Sequence, residues 1–285
     1  MTNKKDFITF ETAWCPGCGD FGILEALRET CSELGLDPHK LLVVGGIGQA
    51  AKTTQYINGN SFAGLHGRAL PPAAAAKIVN HELKVVINTG DGDSYGEGGN
   101  HFIHNIKRNA DITHFVHNNQ IYGLTKGQAS PTSDQGHVTD FTPDGVSTQP
   151  LNPMVAAIGL GAGFVARAFS GDKKHLKSIM KEAMNYNGYA LVDILQPCVS
   201  FNKVNTWAWY NQRVYNLDED KDYNPTNKLQ AFEKALEWGD KIPLGVIYRE
   251  DRLSYTDKVP FLKERTLVDS PVKQDVIEGF FKEFM

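Results

Sequence analysis

The chain has 285 residues, 41% of them hydrophobic and 22% charged, with a formal net charge of −4. That length can bury a large core as one domain or as a domain with an appendage, and the composition is ordinary for a soluble globular protein. The charge gives no reason to expect nucleic-acid binding. No apolar run approaches the ~20 residues of a membrane span, and the start, MTNKKDFITFETAW, lacks a secretory apolar core, so a cytoplasmic protein is expected.

In chain order, the first feature is CPGCG with its cysteine pair, Cys15 and Cys18. In a reducing compartment this pair reads as metal, cluster or redox chemistry rather than as a disulfide. Apolar residues then recur at helical spacing at Phe21, Leu24, Leu27, Cys31 and Leu34, and Gly35 suits the helix end. LLVVGG (41–46) reads as a short buried strand, and Pro71 and Pro72 can open a helix through AAAAKIVN. KVVINTG (84–90) is a second strand, GNHFIHNIKRN a helix, and ITHFVH (112–117) a third strand. NPMVAAIGLG and DKKHLKSIMKEAMNY look helical, whereas GFVARAF (163–169) and ALVDILQ (190–196) look like strands. This alternation predicts an α/β fold with a doubly wound, mostly parallel sheet over residues 1–199. Residues 200–285 read as a C-terminal extension that packs on the sheet or on a partner, with helices near 226–239 and 273–284. The aromatic run TWAWY (206–210) suits either surface.

Two stretches cannot belong to a core: NTGDGDSY (88–95) and HNNQIYGL (117–124). Each follows a predicted strand, and ligands of open α/β sheets sit beyond the carboxyl ends of strands. Asp91 is a hard oxygen ligand and Asn119 offers a neutral oxygen, a pairing that suits Mg²⁺ or Ca²⁺. The neighbouring glycines let backbone amides approach phosphate oxygens. The pattern therefore suggests a metal–diphosphate site.

GDG at 90–92 followed by NN at 118–119 resembles the diphosphate-binding motif of thiamine diphosphate enzymes. That resemblance implies Asp91, Asn119 and the backbone carbonyl of Ile121 as Mg²⁺ ligands, with Gly92 and Asp93 at the cofactor. WCPGCGDFGIL (14–24), GLHGRALP (64–71), YGLTKGQASPTS (122–133) and QPCVSFN around Cys198 extend the likeness from about Phe10 to about Tyr215. Together they resemble the β subunit of two-subunit 2-oxoacid:ferredoxin oxidoreductases of the 2-oxoglutarate type. The family implies oxidative decarboxylation of a 2-oxoacid: the coenzyme carries the bond breaking, electrons pass through an iron–sulfur cluster to ferredoxin, and coenzyme A captures the acyl group. By motif match His66, Gly48, Gln49, Gly123 and Leu124 fall at the cofactor. Lys126 would meet a distal substrate carboxylate, and Lys52 would lie near the substrate.

The resemblance also implies a [4Fe–4S] cluster, which normally takes four thiolates. Cys15, Cys18 and Cys198 match the family pattern, but the third position reads GIGQ, so Gln49 stands where a cysteine is expected. Cys31 lies on the apolar stripe and reads as core packing. Three outcomes stay open: a cluster with three cysteines and an unusual fourth ligand, a rearrangement that recruits Cys31, or no cluster. The chain carries no second α/β pattern for a pyrimidine-binding domain, so an α subunit is expected to supply the activating glutamate, with two αβ units assembling. The rival readings are a cluster-free thiamine-dependent 2-oxoacid decarboxylase or carboligase subunit and a non-catalytic scaffold subunit.

Overall fold

The computed structural model of the chain describes residues 2–270 and 274–285. Ten strands are present among them: Leu41–Gly45 (β1), Asn60–Ala63 (β2), Lys84–Gly90 (β3), Ile112–Asn118 (β4), Ile121–Tyr122 (β5), Gln128–Ala129 (β6), Phe164–Phe169 (β7), Tyr189–Leu195 (β8), Val214–Asn216 (β9) and Ile242–Arg249 (β10). Eight form one sheet in the order β2-β1-β3-β4-β8-β7-β10-β9, while β5 and β6 make a separate hairpin. The strands from β2 to β7 pair in parallel; β10 runs antiparallel to β7 and carries β9 parallel to itself. The doubly wound, mostly parallel sheet expected from the alternating pattern is thus the observed one.

Side-chain alternation divides the core between the two faces of the sheet. Val43, Val86, Phe115, Ala166, Val192 and Ile194 pack beneath the helices Asp20–Glu33 and Lys173–Asn185. Val44, Val85, Ile87, Ile112, Val165 and Leu191 form the opposite core. The first helix turns its face slightly from the one expected. Leu24, Leu27 and Cys31 are buried as expected and are joined by Ile23 and Ala26, whereas Phe21 is 39% exposed. Phe21 packs edge-on against Trp14, with ring centroids 5.6 Å apart, so the segment before the helix rather than the sheet takes its ring.

Beyond residue 200 the chain both adds to the sheet and wraps it. The segment Trp207–Asn211 folds onto this chain's own sheet: Tyr210 is fully buried with Phe169 and Leu195, and Trp207 and Trp209 lie against them. The helix expected near 226–239 spans Lys228–Leu236, begun by Asn227, whose side chain accepts from Leu229 and Gln230 N–H groups. The terminal helix spans Gln274–Glu283; residue 273, its expected start, lies outside the described residues.

Candidate active site at the carboxyl edge of the sheet

β3 and β4 are adjacent and parallel, with Gly90 beside His117. The residues that follow, Asp91 and the Asn118–Asn119 pair, therefore leave the sheet side by side. Asp91 is 1% exposed. Its Oδ2 accepts from the Ser130 hydroxyl at 2.5 Å and the Thr132 hydroxyl at 2.7 Å. Both side-chain donors go to one oxygen, which leaves Oδ1 for another partner. Burial raises the Asp91 pKa against the lowering effect of those hydroxyls and of backbone N–H groups at Asp91 and Asn119. A cation at this carboxylate would reverse that penalty.

The asparagines are held just as closely. Asn118 donates through Nδ2 to both oxygens of Asp193, at 3.1 and 3.2 Å, and its Oδ1 accepts from Thr132 at 3.0 Å. Asn119 donates to Gln196 Oε1 at 2.9 Å and accepts from Ile121 N–H at 3.1 Å. Gln120 turns the chain through a left-handed conformation, φ +58°, uncommon outside glycine. Its side chain is fastened to the Thr132 carbonyl and the Tyr210 hydroxyl. The β5–β6 hairpin then carries Gly123, Leu124 and Thr125 over the cleft.

One cleft is lined by Gly48, Gln49, His66, Asp91, Gly92, Asp93, Asn119, Ile121, Gly123 and Leu124, together with Tyr122, His117 and Gln196. Close packing around it requires glycine at two positions. A Cβ on Gly92 would stand 2.2 Å from the Tyr122 ring, and one on Gly46 would stand 2.0 Å from Asp93 Oδ2. A Cβ on Gly48, Gly90 or Gly123 would meet no atom within 4 Å, so space beside them is open. Asp93 Oδ1 accepts from the backbone of Ile47 (3.1 Å) and Gly67 (2.7 Å), whereas its buried Oδ2 has no partner. Burial raises the Asp93 pKa. His66 lies 3.4 Å from Glu97 and stacks on Tyr122, and Tyr122 donates to Glu97 at 2.9 Å. An oxygen-rich donor set, an orphaned polar atom and open space beside glycines together fit a divalent ion and a diphosphate.

Lys52 and Lys126 stand apart from this lining. Lys52 ends a 3₁₀ turn and is half-buried; Lys126 is exposed at the hairpin tip with φ +77°.

A second pocket adjoins the first and shares Gln49, Asn119, Gly123 and Gln196 with it. Cys15, Cys18 and Cys198 line it, with Trp14, Asp20 and Phe201. Among the described residues no three His, Cys, Asp or Glu side chains converge on a point that one metal ion would occupy. Burial, then Asp20, pushes the Cys18 thiol up. Cys31 is fully buried in the core, its thiol raised by burial to about 12, and does not line the pocket.

Several site residues carry little mark in the sequence. Asp193, in the middle of an apolar strand, anchors Asn118 and Tyr95; an acid inside such a strand was the available signal. Asp20 links the two pockets: it accepts from the Cys18 thiol at 3.4 Å and pairs with His117 Nδ1 at 2.7 Å, while His117 Nε2 meets Asn88 at 3.1 Å. Ser130 and Thr132, which hold Asp91, are ordinary loop residues by sequence.

Fold and cleft define a thiamine-diphosphate-binding chain. Residues 45–194 match the family described as thiamine pyrophosphate enzyme, C-terminal TPP binding domain, and residues 198–264 match the C-terminal family of the pyruvate ferredoxin oxidoreductase beta subunit. The chain is 43% identical over 276 residues to the 2-oxoacid:ferredoxin oxidoreductase subunit beta of Saccharolobus solfataricus, covering 93% of this chain and 90% of that one. It is 44% identical over 199 residues to the 2-oxoglutarate oxidoreductase subunit KorB of Mycobacterium tuberculosis, covering 70% and 53%. A solved structure of 2-oxoglutarate:ferredoxin oxidoreductase from Magnetococcus marinus, with 2-oxoglutarate, coenzyme A and succinyl-CoA bound, superposes with a TM-score of 0.91 at 34% identity, covering 98% of this chain and 96% of that one. The chain belongs to the β-subunit family of 2-oxoacid:ferredoxin oxidoreductases.

Proposed function

We propose that this chain, joined to an α subunit, catalyses CoA-dependent oxidative decarboxylation of 2-oxoglutarate, with electrons leaving through a cluster in this subunit to ferredoxin. One observation carries the reading: a cleft built from Asp91, Asn119 and Ile121 shares a wall with a pocket lined by three cysteines. Electron transfer from coenzyme to cluster calls for such adjacency.

Mg²⁺ would be held by Asp91, Asn119 and the Ile121 carbonyl. Ser130 and Thr132 fix the Asp91 carboxylate by occupying one of its oxygens, and Gln196 fixes the Asn119 amide. Such fixed ligands lose little freedom on binding and can stabilise charge without rearranging. Bound thiamine diphosphate supplies the electron sink for decarboxylation. His66, Gly92, Asp93, Gly123 and Leu124 would position its diphosphate end. Cys15, Cys18 and Cys198 would hold the cluster. Lys126 would reach the distal carboxylate of a dicarboxylic substrate once the cleft is closed by the α subunit, and Lys52 would lie beside it. The α subunit would also supply the acid that activates the pyrimidine ring, in an assembly of two αβ units.

The test is anaerobic co-purification of both subunits, followed by ferredoxin reduction with a panel of 2-oxoacids. The expected result is reduction that requires CoA and is fastest with 2-oxoglutarate. Reduction fastest with pyruvate would overturn the substrate, and activity without CoA or ferredoxin would overturn the reaction.

A further inference from the structure

The second pocket has three cysteines and needs a fourth donor, and the structure narrows the candidates. Cys31 is fully buried in the core beside Ile23 and Leu27, so recruiting it would require unpacking the first helix. The other buried side-chain oxygens on the pocket wall are engaged. Asp20 pairs with His117 and Cys18, Gln196 Oε1 accepts from Asn119, and Asn119 Oδ1, which accepts from Ile121, is already assigned to Mg²⁺. Gln49 Oε1 alone among them is buried without a partner. Leaving such an oxygen unsatisfied costs about 1–3 kcal/mol, so a bound group that satisfies it is favoured. The backbone of Gln49 is also tied to the cysteine segment. Its carbonyl accepts from Trp14 Nε1 at 3.0 Å, and Trp14 is buried immediately before Cys15. Gln49 lines both pockets.

Resting on the cluster assignment above, we infer that Gln49 is the fourth ligand: Cys15, Cys18 and Cys198 would each hold one iron through a thiolate, and the Gln49 amide oxygen would hold the fourth. An amide oxygen is a hard, neutral donor, poorly matched to iron in a sulfide cluster. That iron is therefore the one the site releases first. The release balances as [4Fe–4S]²⁺ giving Fe²⁺ and [3Fe–4S]⁰. With ferricyanide as oxidant, [3Fe–4S]⁰ loses one electron to become [3Fe–4S]⁺, and ferricyanide becomes ferrocyanide. The oxidised three-iron form has an unpaired spin, whereas the intact [4Fe–4S]²⁺ cluster is silent.

The experiment treats the anaerobically purified two-subunit complex with limiting ferricyanide. It follows electron paramagnetic resonance, protein-bound iron and acid-labile sulfide, and assays bound thiamine diphosphate in parallel. The wild-type complex is expected to lose one iron in four with sulfide retained and to develop the three-iron signal; ferrous iron and a reductant should abolish it. Gln49→Cys, which restores a fourth thiolate, is expected to keep its iron and stay silent under the same treatment. A wild-type cluster that resists ferricyanide as well as Gln49→Cys does would overturn the inference. Iron-free protein that still binds thiamine diphosphate would overturn it while sparing the coenzyme site. Loss of coenzyme as well would instead count against the underlying functional reading.

Discussion

Replacing Asp91 by asparagine separates the ion-binding role of this side chain from its packing. The amide oxygen can take the place of Oδ2 and accept from Ser130 and Thr132, at 2.5 and 2.7 Å in the wild-type chain. The amide nitrogen then occupies the Oδ1 position, where it can only repel a cation. Burial already disfavours the charged carboxylate, so a neutral side chain of the same shape should leave the metal-free fold as stable as before, or more so. Binding should suffer far more. Removing one partner of a buried charge pair costs about 3–5 kcal/mol, and about 1.4 kcal/mol is a factor of ten, so the Mg²⁺-dependent affinity for thiamine diphosphate should fall at least ~100-fold. Titration calorimetry of the two-subunit complex, with and without Mg²⁺, measures this, and a thermal melt checks the fold. An unchanged Mg²⁺-dependent affinity in a normally folded variant would refute the assignment of Asp91 to the ion.

Burial raises Asp193 from 3.8 to about 6, so the native state keeps this proton where an unfolded chain releases it. The group's contribution is complete below the unfolded value and is lost as pH rises through about 6, about 3 kcal/mol in all. Asp193→Asn should therefore flatten the pH dependence of the melting temperature between about pH 4 and 6, and an unchanged slope would exclude this group as its source. Gly92→Ala should weaken coenzyme binding by about 1–3 kcal/mol, because the new methyl would stand 2.2 Å from the Tyr122 ring. Adding Tyr122→Ala should recover part of that loss in the same titration, and no recovery would show that the clash is not the cause. Lys126→Ala should lower kcat/KM for 2-oxoglutarate by roughly 10–100-fold, the value of a charge-assisted hydrogen bond of about 1.5–3 kcal/mol, and should leave pyruvate turnover nearly unchanged. Equal losses on both substrates would remove the distal-carboxylate role.

The sheet was legible in the sequence because its strands are continuous apolar runs bounded by glycine and polar turns, as burial on both faces requires. KVVINTG and ITHFVH are the clearest cases. Not all of it was: β10, whose apolar run is broken by Pro243 and Gly245, was missed, and the short strands β2 and β9 were not legible, since the residues of β2 are exposed and those of β9 only half-buried. They are held by backbone pairing with a neighbour, which leaves no periodic mark. Asp91 and Asn119 could be singled out because an acid and an amide just past strand ends have no packing purpose.

Local composition thus determined the fold class and the carboxyl-edge position of the site, while Gln49 stood out only through the family resemblance. What only the tertiary structure decided is partnership. Ser130 and Thr132 reach Asp91 across 39 and 41 residues of chain, and Asp20 reaches His117 across 97. Gln49 comes to the cysteine pocket because Trp14 ties the two loops together. Those contacts follow from how neighbouring strands are ordered in the sheet, and a one-dimensional pattern does not encode that order.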